Sequence, residues 1–565
     1  MSASASPGAS VLPDQQKIRF ALDTNTWLIA FIAVILVLQF GEVFRRGINW
    51  DEFHHYHLLW ELHDGRLNQA VNTAFTRALV WIVELPGDPI DHIIALRVMM
   101  FGFELTILAA IVALAERFSS RTVGLICALA YITFPYVFGH GYSFRFDPPV
   151  TALTLCAAWI IMVRPMDWKT ILAAGAMIGL SSILTIKIVL LAPAFAGLIW
   201  LRWSEHSFAS AFAVRVALLG VLAIAIAGLL YLAHLGALPT VSAETAGKTA
   251  GGIGNVMFAL EPKPFWGMAL SAAIRAPLVT LLVALFVLRL GGRPTSEKIA
   301  LAGMFATITT LIYYHNTAPY FYVFMLPWVL IACSVSVDWI IKKSAPLLVG
   351  AILFISGVST FANEPPSPLE SQRQLIRAAQ EIFPDGLAYF DFMGMLPRLE
   401  KANPFMTFLT IKGLQTANRS IYSEVMAQQA VPLLMSNDEQ FDRLFGNPEE
   451  EVLLPGGGKM FTDVDREALL DTYIPFWGPF LLAGEIIPAG SASHKFVIRV
   501  PGPYTVAGGS IMIGGSRYSE GDIVNLERGV HEAAGARQGE VRLVWGRNLE
   551  PPAYPPPERP YAPAW

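Results

Sequence analysis

Eleven apolar runs, all before residue 363, constrain this chain more than any other feature of its sequence. They lie at about 27–43, 93–115, 122–139, 149–163, 170–184, 188–203, 216–236, 266–289, 299–314, 319–340 and 346–362. A helix that crosses a bilayer needs about 20 mainly apolar residues, and a backbone in lipid must satisfy its own hydrogen bonds. The sequence therefore predicts a polytopic α-helical membrane body of about eleven transmembrane helices over residues 27–362. Only 15% of the 565 residues are charged, against roughly 25% in an ordinary soluble domain. Beyond residue 362 the runs stop and the charge balance reverses. Residues 1–362 carry 23 basic and 19 acidic side chains, whereas residues 363–565 carry 17 and 25. The second part reads as water-soluble. Neither part has the dense basic stripe of a nucleic-acid-binding protein, which excludes that class of partner.

Basic residues favour the cytoplasmic side of a membrane protein. With the N-terminus inside, the inner segments collect most of them, among them Arg117, Arg121, Arg164, Lys169, Lys342 and Lys343. The short outer loops and adjoining helix ends hold only Arg145, Lys187, Lys248, Lys263 and Arg275. The long first outer loop, 44–92, with the start of the run that follows it, adds Arg45, Arg46, Arg66, Arg77 and Arg97, which weakens the contrast without reversing it. The polar, Ser/Ala-rich segment 1–26 has no apolar core, so it reads as a cytoplasmic segment rather than a cleaved signal. Eleven crossings then place the C-terminal part outside, facing the periplasm of a bacterial inner (plasma) membrane. Within loop 44–92, HYHLLWELHDG and VNTAFTRALVWIVEL show amphipathic helical patterns, as for helices lying on the membrane surface. The C-terminal part opens with a helix-like ESQRQLIRAAQEIFP and a strand-like GLAYFDF, then closes with KFVIRV, YTVAGG, SIMIGG, DIVNLERG and VRLVWG. These patterns predict an α/β region over 363–490, a β-sandwich-like region over 491–550 and a Pro-rich tail over 551–565. Cys127, Cys156 and Cys333 all fall in apolar runs. They form no CxxC or Cys/His spacing, so no cysteine-based metal site or tail disulfide is expected.

Ionisable groups close to a bilayer are costly, and four clusters stand out, all on the outer face. The first is Asn49-Trp50-Asp51-Glu52-Phe53-His54-His55-Tyr56. Adjacent carboxylates raise each other's pKa, which suits a general base, although acids in a first helical turn also simply suit the helix dipole. His54 and His57 have an HxxH spacing but no third ligand, so no metal is assigned. The second cluster is Phe144-Arg145-Phe146-Asp147-Pro148-Pro149, where the prolines fit the first turn of a helix. The third is Lys187 in Leu184-Thr185-Ile186-Lys187, flanked by apolar runs. It either snorkels to lipid head groups or meets a phosphate. The fourth is Tyr313-Tyr314-His315-Asn316-Thr317-Ala318-Pro319-Tyr320-Phe321-Tyr322, ending in Leu326-Pro327, which also fits an aromatic belt.

In this order and on one face, the four clusters resemble the GT-C glycosyltransferases. The similar branch contains protein O-mannosyltransferases, the aminoarabinose transferase of lipid A and rhizobial galacturonosyltransferases. Its DE-x-x-x-Y element looks like Asp51-Glu52-Phe53-His54-His55-Tyr56, and its Asp-Pro at the start of a later span looks like Asp147-Pro148. Its L-T-K-G…P element resembles Leu184-Thr185-Ile186-Lys187…Pro193, with Ile186 inserted and Ile188 in place of Gly. Its late Tyr/Pro element resembles Pro319-Tyr320-Phe321-Tyr322…Leu326-Pro327. The likeness covers about residues 27–340 and implies a GT-C fold over the membrane body.

The resemblance implies a sugar donor on polyprenyl phosphate and direct transfer, with inversion, to an acceptor hydroxyl on a glycolipid, polysaccharide or protein. Asp51 is the expected general base, with Glu52 positioning it. Lys187 and Arg145 are the expected partners of the departing phosphate. Asp147, His54, His55, Tyr56, His315, Tyr320 and Tyr322 are the expected pocket residues. No cofactor is implied, since phosphate is already a good leaving group, although a divalent metal would be compatible. A transporter or flippase of lipid-linked sugars and a non-catalytic glycan-assembly protein are the competing readings. Transporters place charges near the bilayer midplane and carry internal repeats, and the two halves of this sequence show no repeat.

Overall fold

The computed structural model describes residues 23–239, 241, 265–406, 410–411, 413–414, 417, 419–453, 459–534 and 539–557. The N-terminal segment up to residue 22, Lys248, Lys263 and the last eight residues of the expected Pro-rich tail lie outside the described residues.

Chain order explains how the outer face is assembled. Helix α1 (Thr24–Arg45) starts at Asp23, whose carboxylate accepts from the Thr26 N–H at 2.8 Å. The first outer loop holds α2 (Trp50–His63), α3 (Ala74–Leu79) and a 3-10 turn, Val80–Glu84. Next come α4 (Pro89–Phe118), α5 (Arg121–Ile132), α6 (Pro135–His140), α7 (Asp147–Val163) and α8 (Trp168–Leu184). A 3-10 turn, Ile186–Leu191, leads into α9 (Ala192–Glu205) and α10 (Ser210–Gly236). After the undescribed stretch follow α11 (Trp266–Arg275), α12 (Pro277–Arg289), α13 (Thr295–Phe305), α14 (Phe321–Ala332), α15 (Ser334–Ile341) and α16 (Pro346–Ala362).

Each of the eleven apolar runs is helical over at least part of its length. Among the described residues, four helices are long and apolar enough to cross a membrane, or six if each of two bent pairs is one span. Four shorter apolar helices of 10–17 residues accompany them. The bent pairs have a local cause. Pro277 has no N–H to continue α11, Ala276 takes an unhelical ψ of 61°, and the chain turns by 100° into α12. Helix α14 is buried at every residue and forms the centre of the bundle, as its all-round apolar sequence requires.

The C-terminal part begins with α17 (Leu369–Ile382), whose buried face carries Leu375, Ile376, Ala379 and Ile382 together with the polar Gln372. Among the described residues it then forms β1 (Ala388–Phe390), β2 (Glu400–Lys401), β3 (Leu433–Met435), β4 (Tyr473–Trp477), β5 (Phe480–Ile487), β6 (His494–Ile498), β7 (Gly502–Ala507), β8 (Ile511–Ile513), β9 (Ser516–Tyr518), β10 (Ile523–Leu526), β11 (Gly529–Ala534) and β12 (Val541–Trp545). One sheet runs β10-β7-β12-β5-β3-β1-β2 with β4 also on β5, and the other runs β6-β11-β8-β9. The expected 490/491 boundary does not divide the sheets, because β5 pairs with β3 on one edge and β12 on the other.

This part is clamped to the first outer loop. Gln372 accepts from Ile48 N and donates to Ile48 O, both at 2.8 Å. Arg373 pairs with Asp88 and Asp91, the two capping residues of α4. Helix α2 is consequently buried on most sides, at Glu52, Phe53 and from His55 through Leu59. It lies between bundle and tail rather than presenting an apolar face to lipid.

Candidate active site

The break after α8 decides where the charges meet. Thr185 leaves the helix in an extended conformation and its hydroxyl accepts from Lys187 N at 3.3 Å, starting the 3-10 turn. That turn points Lys187 inward, only 6% exposed, so it does not snorkel. Its Nζ donates to Asp147 Oδ1 at 2.9 Å. Asp147 is the first residue of α7, followed by Pro148 in the first turn. Its other oxygen, Oδ2, accepts from Arg145 Nε at 3.1 Å. The Arg145 guanidinium also meets Asp51 Oδ2 in a very close ion pair. The result is a buried chain of alternating charge, Asp51, Arg145, Asp147 and Lys187, drawn from α2, the α6–α7 connection, α7 and the 3-10 turn.

Aromatic faces line this chain. The Tyr320 ring lies 3.4 Å from the Arg145 guanidinium carbon and 5.3 Å from Lys187 Nζ, and Phe146 lies 4.8 Å from Lys187 Nζ. Such faces attract cations without neutralising them. Tyr320 donates its hydroxyl to Asn316 Oδ1 at 3.0 Å, which fixes the ring.

Asp51 and Glu52 diverge, as neighbours on a helix must. Burial pushes the Asp51 carboxyl up against the pull of Arg145, and Asp147 adds to the rise. The second carboxylate acting on Asp51 is therefore Asp147, not its sequence neighbour. Glu52 is fully buried and accepts from Arg97 Nε at 2.7 Å and Nη2 at 2.5 Å, from Phe144 N at 2.9 Å and from Asn49 N at 3.1 Å. Burial alone would raise its pKa, but the Arg97 pair more than offsets that and holds it low. Arg97 also donates to the Val43, Arg46 and Gly47 carbonyls. Glu52 thus ties α1, α2, α4 and the Arg145 loop together, setting the direction in which Asp51 points.

Two of the histidines are held below the ordinary range by burial. Burial lowers His54 to about 3, and its ring stacks on Phe405 of the tail at 4.1 Å. Burial also lowers His55 well below its ordinary value, in a nest of Phe75, Phe144 and Phe146. Tyr56 shares a hydrogen bond with His92 Nδ1 at 2.6 Å, and His92 Nε2 meets Leu85 O at 3.0 Å. A carbonyl only accepts, so Nε2 carries the proton and Tyr56 is the donor to Nδ1. Tyr322 packs on Phe134 and Tyr136, and His315 sits partly buried in the turn before Asn316. The structure brings Asp51, Arg145, Asp147, Lys187 and Tyr320 into one cluster, with His55 alongside through Phe146. Glu52, Tyr56 and Tyr322 have their own partners.

A second buried charge cluster, absent from the sequence reading, lies in the tail. Asp391 accepts from Gly394 N at 2.8 Å, Met395 N at 2.8 Å and Asn437 Nδ2 at 3.0 Å, and pairs with Lys401. Lys401 Nζ also donates to Asp391 O at 2.6 Å and Asn403 Oδ1 at 3.0 Å. This folds the loop after β1 so that Phe392 meets Trp50 at 4.6 Å and Gly394, at φ +76°, lies against His57. Among the described residues, no group of three or more His, Cys, Asp or Glu side chains is arranged to hold a metal ion.

No protein-family model and no curated protein sequence matches this chain. ArnT from Cupriavidus metallidurans, crystallised bound to undecaprenyl phosphate, is similar in structure, with a TM-score of 0.54 at 13% identity over 78% of this chain and 97% of its own. The apo oligosaccharyltransferase of Archaeoglobus fulgidus gives 0.56 at 9% identity, over 95% of this chain and 98% of its own. AglB from the same archaeon, in complex with an inhibitory peptide and a dolichol-phosphate, gives 0.52 at 9% identity over 90% and 94%. The chain has the GT-C fold: a multi-pass helical membrane body followed by a β-rich C-terminal region.

Proposed function

We propose that this chain is a membrane glycosyltransferase that moves a sugar from a polyprenyl-phosphate carrier to an acceptor hydroxyl, with inversion, on the periplasmic face of a bacterial inner membrane. The observation that carries this reading is the buried chain Asp51–Arg145–Asp147–Lys187. It puts a carboxylate with a raised pKa beside two cations held by a shared aspartate. The GT-C fold, shared with structures solved in complex with undecaprenyl phosphate and with a dolichol-phosphate, supports the class of donor.

The chemistry divides among these groups. Asp51 takes the proton of the acceptor hydroxyl while its oxygen attacks the anomeric carbon. The bond from that carbon to the phosphate oxygen breaks, and its electron pair leaves with the phosphate. Lys187 and Arg145 hold the growing negative charge in a low-dielectric site, where fixed charges act strongly. Asp147 keeps both cations in register. Without donor, Arg145 masks Asp51. A donor phosphate that draws Arg145 toward itself frees Asp51 to act as base, so donor binding and base activation are coupled. His54 and His55 line the pocket beside Asp51, His315 stands near the Tyr320 end, and Glu52, Tyr56 and Tyr322 hold the walls.

Mass spectrometry of membrane glycoconjugates with and without this protein tests the function. Loss of one sugar from one acceptor is the expected result, and identical profiles would overturn it. Protease treatment of intact spheroplasts tests the side: the tail beyond residue 363 is expected to be cleaved.

A further inference from the structure

His55 stands beside the charge chain with both of its polar atoms unspent. It is 6% exposed, and among the described residues neither Nδ1 nor Nε2 has a hydrogen-bond partner. Phe75, Phe144 and Phe146 surround the ring, with centroids 5.0, 6.1 and 5.4 Å away. A buried polar atom left unmet is costly, and packing alone asks only for a fourth phenyl ring at this position. Two unmet atoms in one ring point to a partner that arrives from outside.

The place of the ring decides which part of a ligand it meets. Asp51 and His55 are four residues apart in α2, so they share a face and stand about 6 Å apart along the helix axis. Phe146 joins His55 to the cations, its ring centre lying 4.8 Å from Lys187 Nζ and 5.8 Å from the Arg145 guanidinium carbon. With the donor phosphate on Lys187 and Arg145 and the anomeric carbon at Asp51, the sugar ring extends along this face over Phe146. His55 then meets its far side, the substituents most remote from the phosphate.

The chemistry of the ring decides what that far side carries. Burial, with His54, Arg145 and Lys187 adding to it, holds His55 well below its ordinary pKa, so the ring is uncharged near neutral pH. An uncharged imidazole has one N–H donor and one bare nitrogen acceptor. Hydroxyl groups answer both, since they donate and accept. A carboxylate only accepts and an ammonium only donates, so either leaves one nitrogen unmet. The neighbouring carboxylates are also committed: Asp51 to Arg145, Glu52 to Arg97, and Asp147 to Arg145 and Lys187. None of the three is spare for an ammonium group on a sugar.

We infer that His55 selects the transferred sugar, and that this sugar is a neutral one whose hydroxyls, remote from the anomeric carbon, engage both nitrogens of His55. The inference rests on the transferase reading above and adds the class of sugar: one with neither a carboxylate nor an amino group at that end.

Native mass spectrometry of the full-length protein in detergent tests it. The probes are bare undecaprenyl phosphate and the same lipid carrying glucose, galactose, mannose, arabinose, galacturonate or 4-amino-4-deoxyarabinose. The readout is the affinity of each sugar-bearing lipid relative to the bare carrier in the same protein. Wild type is expected to favour at least one neutral sugar about tenfold, the worth of two neutral hydrogen bonds. It is expected to bind the galacturonate and aminoarabinose lipids no better than the bare carrier. His55→Phe is expected to lose the preference, whereas His55→Gln, which keeps a donor and an acceptor, retains most of it. A His55→Phe protein that keeps the wild-type preference overturns the inference. So does a wild type that favours the galacturonate or aminoarabinose lipid, or that favours no neutral sugar. If His55→Phe fails to fold, the wild-type ranking and His55→Gln still decide. Failure of wild type to bind any of these lipids, the bare carrier included, counts instead against the donor reading.

Discussion

Lys187 and Lys401 are both buried lysines paired with a buried aspartate, yet they use their protons differently. An ammonium has three donors. Lys401 spends all three, on the Asp391 carboxylate, the Asp391 carbonyl and Asn403, and Asp391 is itself saturated by backbone and amide donors. Among the described residues, Lys187 makes one side-chain hydrogen bond, to Asp147, and otherwise faces the rings of Phe146 and Tyr320. A saturated ion pair has nothing left to offer a ligand and fixes a loop. An unsaturated one in a low-dielectric site keeps donor capacity for an anion that is not part of the chain.

The strongest way to break this contrast is at Asp51, the open end of the membrane chain. Asp51→Asn should lower transfer by about 10³-fold, within the usual range for a general base, while undecaprenyl phosphate still binds. Turnover near wild type would move the base elsewhere. The next effect separates the two lysines. Lys401→Met leaves Asp391 charged and unpaired, so thermal unfolding should show a loss of about 3–5 kcal/mol. Lys187→Met should change stability less and abolish donor binding. Lys187→Arg should weaken donor binding about tenfold, because a planar fork does not reproduce a point donor. If Lys187→Arg binds donor as wild type does, the phosphate role is wrong.

The sequence showed the members of the membrane chain because each stands out locally as a charge beside apolar runs. Asp51, Arg145, Asp147 and Lys187 were readable one by one, and their order matched a known pattern. Their pairing was not readable, since it depends on the break at Thr185 and on the turn that buries Lys187. Arg97 looked like one more basic residue in a long loop. It is the partner that fixes Glu52, 45 positions away, and no spacing rule reports that. The tail cluster was invisible for the same reason: Asp391 and Lys401 meet only because β1 and β2 pair in parallel, Tyr389 opposite Lys401. The DE pair misled in one respect. Adjacency suggested mutual pKa elevation, but a helix sends neighbours about 100° apart, and each carboxylate found a different arginine.

The open chain also predicts a pH dependence. A base works only when deprotonated, so transfer should fall as pH drops through the pKa of Asp51. Burial raises that pKa and Arg145 holds it down. Arg145→Gln removes the restraint, so the acid limb of the rate profile should move to higher pH, alongside weaker donor binding. A limb that stays in place would mean that Arg145 does not act on the base.

The smallest effect concerns the ring beneath the cations, and it distinguishes shape from hydrogen bonding. Tyr320 contributes two things: a π face 3.4 Å from Arg145 and a hydroxyl given to Asn316. Tyr320→Phe keeps the face and loses one neutral hydrogen bond, worth about 0.5–1.5 kcal/mol. Donor binding should therefore weaken by about twofold to tenfold. Tyr320→Leu also removes the face, worth about 2 kcal/mol when desolvated. It should cost a further ten- to thirtyfold, at unchanged expression. If the two variants are alike, the ring does not hold Arg145 in place. The cations are then positioned by Asp147 alone, and the aromatic lining of the membrane cluster is packing of the kind that surrounds Asp391.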